Sequence, residues 1–298
     1  MRVVTNTVSN SIVRQIQQLG TQQAKLQNQV ATGQRIFQPE DDPTAVGRVL
    51  NLESEQRNTA QYQRNAERAM ELSRTSYSGL QSIKKVSDRA TELGTLGSSI
   101  ISPAAANAYA SEVNQLIEQT LQLANSRFRN DYIFAGTAVD TPPFTATRNV
   151  QGDLTGVTYV GNAQQTTIQL TESSSISPAT TGATNTGLGD FINQLVALRT
   201  SLLANSPAGV SAAQTSLLAS EDVLVSSLAE HGGVQTRIEA TQTQLVGRAT
   251  DLESLVSAET DADMPTTIVR MNQAQTAYQA ALQSAANLMQ VSLLDYLK

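Results

Sequence analysis

The sequence predicts a mainly α protein, an elongated rod of long antiparallel helices with paired terminal coiled-coil helices and a small β-rich insert. Three observations predict it. Both chain ends carry an apolar stripe at helical spacing and almost no charge. Helical spacing recurs over long stretches on either side of a single interruption. That interruption, residues 137–189, is rich in Thr, Gly, Ser and Asn and holds short alternating runs.

The ends are the most unusual part. Residues 1–39 contain no Asp or Glu, four basic side chains and twelve Gln or Asn. Residues 264–298 carry only Arg270, Asp295 and Lys298 as charges. Val8, Ile12, Ile16, Leu19, Gln23, Leu26 and Val30 advance by steps of three and four. Ile268, Met271, Gln275, Tyr278, Leu282, Ala285, Met289, Ser292 and Tyr296 do the same at the other end. A mean step of about 3.5 residues is the period of a coiled-coil seam. The six large apolar residues of the first stripe would gain about 10–18 kcal/mol if fully buried. Fixing some 30 backbone residues costs roughly 1–2 kcal/mol each, and isolated helices are marginal in water. The ends are therefore expected to be disordered in a monomer and helical in an assembly.

Between the ends, Gly33 and Gln38-Pro39-Glu40 mark a break, and Asp42-Pro43 reads as an N-cap followed by proline at the first helical position. A long helix is predicted from there to about Leu96, with Met70, Tyr77, Leu80, Ile83, Val86, Ala90 and Leu93 on its buried side. Ser102-Pro103 repeats the start signal, and Tyr109, Val113, Leu116, Thr120, Ala124 and Phe128 trace a second helix. Thr141-Pro142-Pro143 excludes helix interior. Runs around Val157-Tyr159 and Ile168-Leu170 read as strands, and residues 172–187 read as surface loop. Helical spacing resumes at Phe191, Leu195, Leu198 and Leu202, then at Leu217, Leu224, Leu228, Ile238, Leu245, Leu252 and Leu255. The expected division is a terminal layer of 1–42 with 265–298, a helical layer of 43–136 with 188–264, and the insert 137–187.

Composition narrows the function. Of the 298 residues, 40 % are hydrophobic but only 4 % aromatic, with no Trp. Thin helical layers suit that better than the aromatic core of a compact enzyme. A net charge of −6 without a Lys/Arg cluster argues against nucleic acid. No run reaches the length of a membrane span, and MRVVTNT lacks the apolar core of a secretory signal. The acid-poor N-terminus also fits a transit peptide, but its stripe runs on into the next motif and mirrors the C-terminal one. Cysteine is absent, which removes thiol chemistry.

Candidate chemical sites have plainer explanations. Asp41-Asp42 is a paired carboxylate, yet no His or Cys is near in sequence and helix capping accounts for at least one of the two. Asp261 and Asp263 lack the further oxygens and glycine of a calcium loop, so they are expected to accept backbone donors before Pro265. His231 is the only histidine, and a packed or solvated helix position is expected for it rather than pH sensing. The glycine at 233 is expected to permit close helix approach. No nucleophile–base set, phosphate loop or metal spacing occurs, so no catalytic, metal or cofactor site is expected.

Three stretches resemble the flagellin family. Thr32-Gly33-Gln34-Arg35-Ile36, followed by Asp41-Asp42-Pro43-Thr44-Ala45, is similar to its N-terminal motif. Asp261-Ala262-Asp263-Met264-Pro265-Thr266, with Ala274-Gln275 and Gln279-Ala280, is similar to its C-terminal motif. Tyr132-Ile133-Phe134-Ala135-Gly136 resembles a signature of the family's hook–filament junction branch, which flagellins themselves lack. The ending Leu293-Leu294-Asp295-Tyr296-Leu297 is similar to that branch, with Leu294 where Phe is usual.

The resemblance implies a structural protein exported unfolded through the flagellar type III channel, without a cleaved signal, to the extracellular flagellum. It implies a homo-oligomeric ring between the first hook-associated protein and flagellin, and an export chaperone docked on the C-terminal helix around Tyr278, Met289 and Tyr296. Two other readings remain open at this point: a small flagellin that forms the filament itself, and a flagellar surface protein whose β insert binds a ligand.

Overall fold

Polypeptide punctuation decides where each helix starts. The computed structural model describes the backbone of residues 2–99 and 102–296, and side chains for 10–99 and 102–287. Six helices follow in order: α1 (Arg2–Thr32), α2 (Pro43–Gly97), α3 (Pro103–Ala124), α4 (Gly182–Leu203), α5 (Pro207–Thr260) and α6 (Met264–Tyr296). Three of them begin with proline, whose missing N–H costs nothing in a first turn. The Asp42 carboxylate accepts from the Ala45 amide (3.0 Å) at the start of α2. Ser102 Oγ does so from Ala105 (3.2 Å) before α3, and Thr181 Oγ1 from Thr184 (3.2 Å) before α4. Each contact satisfies an otherwise orphaned first-turn donor.

The chain forms two compact units, 1–58 with 248–298, and 59–247. In the first, α1 and α6 pair antiparallel: Gly33, just after α1, accepts from the amide of Ala262, just before α6 (2.8 Å), and Gly20 lies against the Tyr278 ring. Ile12, Ile16, Leu19, Gln23, Leu26 and Val30 form the least exposed row of α1, and Leu26 is buried. On α6 the inward row is Thr267, Met271, Ala274, Tyr278, Ala281 and Ala285. Ile268 and Leu282, expected on the same row as Met271 and Tyr278, are 40 % and 43 % exposed, and Gln275 is exposed too. Small residues at Ala274 and Ala281 take the inner positions, leaving the larger side chains on the outer face. Val8, Met289 and Tyr296 lie outside the residues whose side chains are described.

In the second unit, α2 and α5 run antiparallel, as Ser73–His231, Lys84–Glu221 and Thr95–Gln214 contacts require. The core joins Leu80, Ile83, Val86 and Leu93 of α2 with Val113 and Ile117 of α3, Phe191, Ile192, Leu195 and Leu198 of α4, and Leu217 and Leu224 of α5. A smaller cluster joins Ala66, Ala69 and Met70 with Ile238 and Leu245, beneath Leu170 and Ile176. The expected buried faces are thus seen, except that Tyr77 is half-buried and Leu255, in the first unit, is 47 % exposed.

The β structure is three antiparallel two-stranded hairpins: β1 (Arg127–Phe128) with β2 (Asp131–Tyr132), β3 (Phe144–Arg148) with β4 (Leu154–Tyr159), and β5 (Ile168–Gln169) with β6 (Ser175–Ile176). It begins earlier than expected. α3 stops at Ala124 because Asn125 caps it, its amide donating to Leu121 O (3.0 Å) and its side chain tying to the Phe144 backbone, so Phe128 is a strand residue. The expected loop 172–187 instead contains β6, buried Ile176 and Ala179, and the start of α4. Within it Thr181 caps α4 and buried Thr180 bonds to Asn185, while Ser173 and Ser175 are exposed. At Gly233 an added Cβ would meet nothing within 4 Å, so close helix approach does not explain that glycine.

Gly136 does carry a backbone requirement. Its φ is +69°, and a Cβ would stand 2.3 Å from Asn162 O. Gly136→Ala is expected to destabilise the second unit by about 2 kcal/mol or more, through both strain and collision. Calorimetric melting checks this, and an unchanged Tm would contradict it.

Candidate functional site

The motif residues Gly33, Arg35, Asp41, Asp42 and Pro43 converge where two helix breaks lie side by side, α1 to α2 and α5 to α6. Gly33, at φ +73°, turns the chain out of α1. Gln34 and Asp261 then form one antiparallel bridge, with the Arg35 amide donating to Thr260 O (2.6 Å) and the Ala262 amide to Gly33 O (2.8 Å). Gln29 Nε2 donates to Arg35 O (2.8 Å), tying the turn to α1.

Side chains complete the cross-connection. Arg35 Nη1 donates to Asp42 Oδ2 (3.2 Å), and Nη2 donates to the Glu259 carbonyl (2.7 Å). Arg48 holds the Glu259 carboxylate with two bonds of 2.9 Å, joining the first turns of α2 to the last turn of α5. Arg248 pairs with Glu55 farther along the same two helices. Asp41 folds the 37–41 segment, its Oδ2 accepting from the amides of Phe37 and Gln38 (both 3.0 Å), while Oδ1 meets Lys25 of α1 (2.7 Å). Asp263 caps α6, accepting from Thr266 Oγ1 (2.6 Å), and the Asp261 carboxylate accepts from Ser257 Oγ.

These partners set the titration. The Lys25 ammonium and the Gln38 and Phe37 amides pull the Asp41 carboxyl down to about 2. The Ala45 amide, the Thr44 hydroxyl and Arg35 hold Asp42 well below the usual carboxylate range. Arg48 lowers Glu259. All three are therefore ionised acceptors, committed to donors on the chain itself. Among the described residues no group of three His, Cys, Asp or Glu is placed to hold a metal ion.

The motif residues Tyr132, Phe134 and Gly136 form a separate cluster in the second unit. The Arg127 guanidinium lies 4.2 Å over the Tyr132 ring and donates to its hydroxyl (2.6 Å). Phe134 is fully buried against Gly79 of α2. Gly136 lets the 162–164 segment close over it, where Asn162 exchanges bonds with Thr137 (2.9 and 2.6 Å). A cleft of about 360 Å³ opens beside this cluster, lined in part by Arg68, Leu72, Phe128, Arg129, Tyr132 and Ile168.

Sequence reasoning singled out Asp41, Asp42, Asp261 and Asp263 at the paired breaks and missed two donors, Lys25 and Arg48, and one acceptor, Glu259. Lys25 had a signal, as one of few charges in an acid-free segment. Arg48 and Glu259 sit far apart in sequence on unremarkable helix faces, and only their nearness to the two breaks marks them.

Lowered carboxylate pKa values stabilise the folded form at pH above the ordinary value near 4 and lose that effect as pH falls towards 2. Protection of the Arg35 and Ala262 amides against hydrogen exchange is expected to fall across that window. Asp41→Ala should already be poorly protected at pH 5. Protection unchanged down to pH 2 would contradict the assignment.

Comparison with known proteins agrees with this geometry. Residues 3–139 match the bacterial flagellin N-terminal helical region, and residues 219–297 match the bacterial flagellin C-terminal helical region. The flagellar hook-associated protein 3 of Escherichia coli strain K12 is 25 % identical over the full length of both chains. Among solved structures, a flagellar hook-associated protein from Vibrio parahaemolyticus superposes with a TM-score of 0.66 at 18 % identity, over 74 % of this chain and 100 % of that one. Bacillus cereus FlgL gives 0.61 at 18 % identity, over 70 % and 99 %. The two flagellin regions together take in the paired terminal helices and both breaks, and the chain belongs to the flagellin family.

Proposed function

We propose that the chain is a structural component of the bacterial flagellum that forms the junction ring between the hook-associated zone and the filament, with no catalytic role. The observation that carries this reading is the paired terminal helices, taken with the full-length likeness to a hook-associated protein. Within the chain, α1 buries only Leu26 among its described side chains. The rest of its inward row, Ile12, Ile16, Leu19 and Val30, is only half-buried, so the stripe gains less than the roughly 1.5–3 kcal/mol per side chain of full burial. Meanwhile Val13, Ile268, Val269 and Leu282 remain 40–55 % exposed on the same two helices. Neighbouring copies would cover these side chains, and the isolated ends would order fully only then.

On this reading residues 1–42 with 265–298 are the assembly layer, 43–136 with 188–264 a helical layer, and 137–187 the β-rich insert. Val8, Ile12, Ile16, Leu19, Leu26 and Val30 supply one seam. Met271, Tyr278 and Ala285, continued by Met289 and Tyr296 beyond the described side chains, supply the other, while Ile268 and Leu282 lie on the outer face of the same helix. Copies of the chain form the ring, the first hook-associated protein lies on the hook side and flagellin on the filament side. Before assembly, an export chaperone covers the C-terminal helix, and the flagellar type III pathway delivers the chain to the cell exterior without signal cleavage. The reading includes neither nucleic acid nor membrane as a partner.

The cleft beside Tyr132 supports the second reading, a ligand-binding surface protein. Arg68→Glu reverses an exposed charge in the cleft lining without touching the core and separates the two: motility should survive if the cleft is peripheral and fail if its ligand is the function. Leu26→Asp places an unpaired charge in the α1 seam, at a cost of several kcal/mol on the order expected for buried charge. The variant should be soluble and helical yet leave hooks without filaments under the electron microscope. Normal filaments would refute the seam.

A further inference from the structure

The α2–α5 seam of the second unit is interrupted by a polar layer. The fully buried side chains of the larger core end at Leu80 on α2 and Leu224 on α5, with half-buried Leu72 and Leu228 packed against it; those of the smaller begin at Met70 and Ile238, with half-buried Val234 beside them. Between them lie buried Ser73, Ser76, Ser227 and His231. Ser227 Oγ bonds to Thr184 Oγ1 of α4 (2.8 Å). The His231 imidazole, 4 % exposed, has one neighbour at the limit of hydrogen bonding, Ser73 Oγ at 3.4 Å from Nδ1. Ser76 Oγ, one turn along, and Gln235 Nε2, one turn beyond the imidazole, have no partner at all. A helix seam that ends one apolar cluster and starts another across unsatisfied polar atoms is locally weak.

We propose that this layer is a proton-responsive weak point, at which protonation of His231 parts α2 from α5 between the two cores. Among the described residues no countercharge waits for an imidazolium. On α2, Glu71 is engaged by Arg129 (2.6 Å) and Arg74 by Glu239 (3.8 Å), both at exposed positions; Arg68 is exposed and Tyr77 half-buried. On α5, Glu230 is exposed, and exposed Arg237 donates to Ser174 Oγ (3.1 Å). Glu172 of the insert is exposed, and α4 presents only neutral residues within a turn of Thr184. Burial accordingly holds the imidazole pKa below its ordinary value. The sign follows: the closed layer excludes the proton, and the open one binds it near pH 6.5. The seam is therefore tight above about 6.5 and loosens as pH falls from there towards the lowered folded value.

The full chain contains a single histidine, so its imidazole resonance identifies itself. Hydrogen exchange between pH 7.5 and 5 stays above the window of the Asp41–Asp42 carboxylates. In the wild type, the opening constant for amides of 71–78 and 227–235 is expected to rise by up to about tenfold per pH unit below 6.5. Amides beside Leu93 and Val210 should not follow. His231→Gln keeps a polar side chain of similar size without titrating and should flatten the response, and His231→Leu should do the same. The proposal is overturned if His231→Gln responds to acid as the wild type does, or if the wild-type imidazole titrates at its ordinary value with no change in exchange.

Discussion

Everything about the terminal region rests on one short antiparallel contact, the two backbone hydrogen bonds that join Gly33–Arg35 to Thr260–Ala262. Two helices that are separated by most of the chain must break at the same level if α1 and α6 are to lie alongside one another. The bridge fixes that level. Gly33 is needed because the chain leaves α1 through a left-handed residue. Arg35 is needed because one planar guanidinium reaches both the Asp42 carboxylate and the Glu259 carbonyl, on opposite sides of the contact. The carboxylates at 41 and 42 then work as structural acceptors, which explains a conspicuous acidic pair without any chemistry for it to perform.

The bridge also explains why the terminal helices can be poor in charge. Ion pairs are concentrated at and beyond the break: Lys25–Asp41, Arg35–Asp42, Arg48–Glu259 and Arg248–Glu55. Most are partly exposed and individually weak, but Arg35 also lies 4.0 Å from the Glu259 carboxylate, which links the Arg35–Asp42 and Arg48–Glu259 pairs. Register is thus set polar-side, at the break, while the helices beyond it carry few charges. A seam with a buried charge at each turn would resist assembly; a seam with none would slip without something to index it.

Much of this was legible in the sequence, because periodicity and capping are local. The Asp42-Pro43 and Ser102-Pro103 signals mark true helix starts, and the Leu80–Leu93 face is the core. What escaped was non-local. Asn125 ends α3 by bonding to Phe144, a partner nineteen residues away, so Phe128 keeps helical spacing yet lies in a strand. The register of α6 escaped for another reason: small alanines can face a close helix while Ile268 and Leu282 face outward, and hydrophobicity alone ranks those rows in the wrong order. Arg48 and Glu259 met only through the bridge. The hydroxyl–imidazole layer resembled a helix interior until both facing helices were in place.

The claim that the bridge indexes the terminal pair is open to a direct distance measurement, simplified by the absence of native cysteine. Spin labels on cysteines introduced at Gln22 and Gln279 should report one short, narrow distance in an otherwise unaltered chain. With Arg35→Pro added, which removes the amide that donates to Thr260 O, that distribution should broaden and lengthen. A narrow distribution unaffected by losing that bond would show that something other than the bridge aligns the helices.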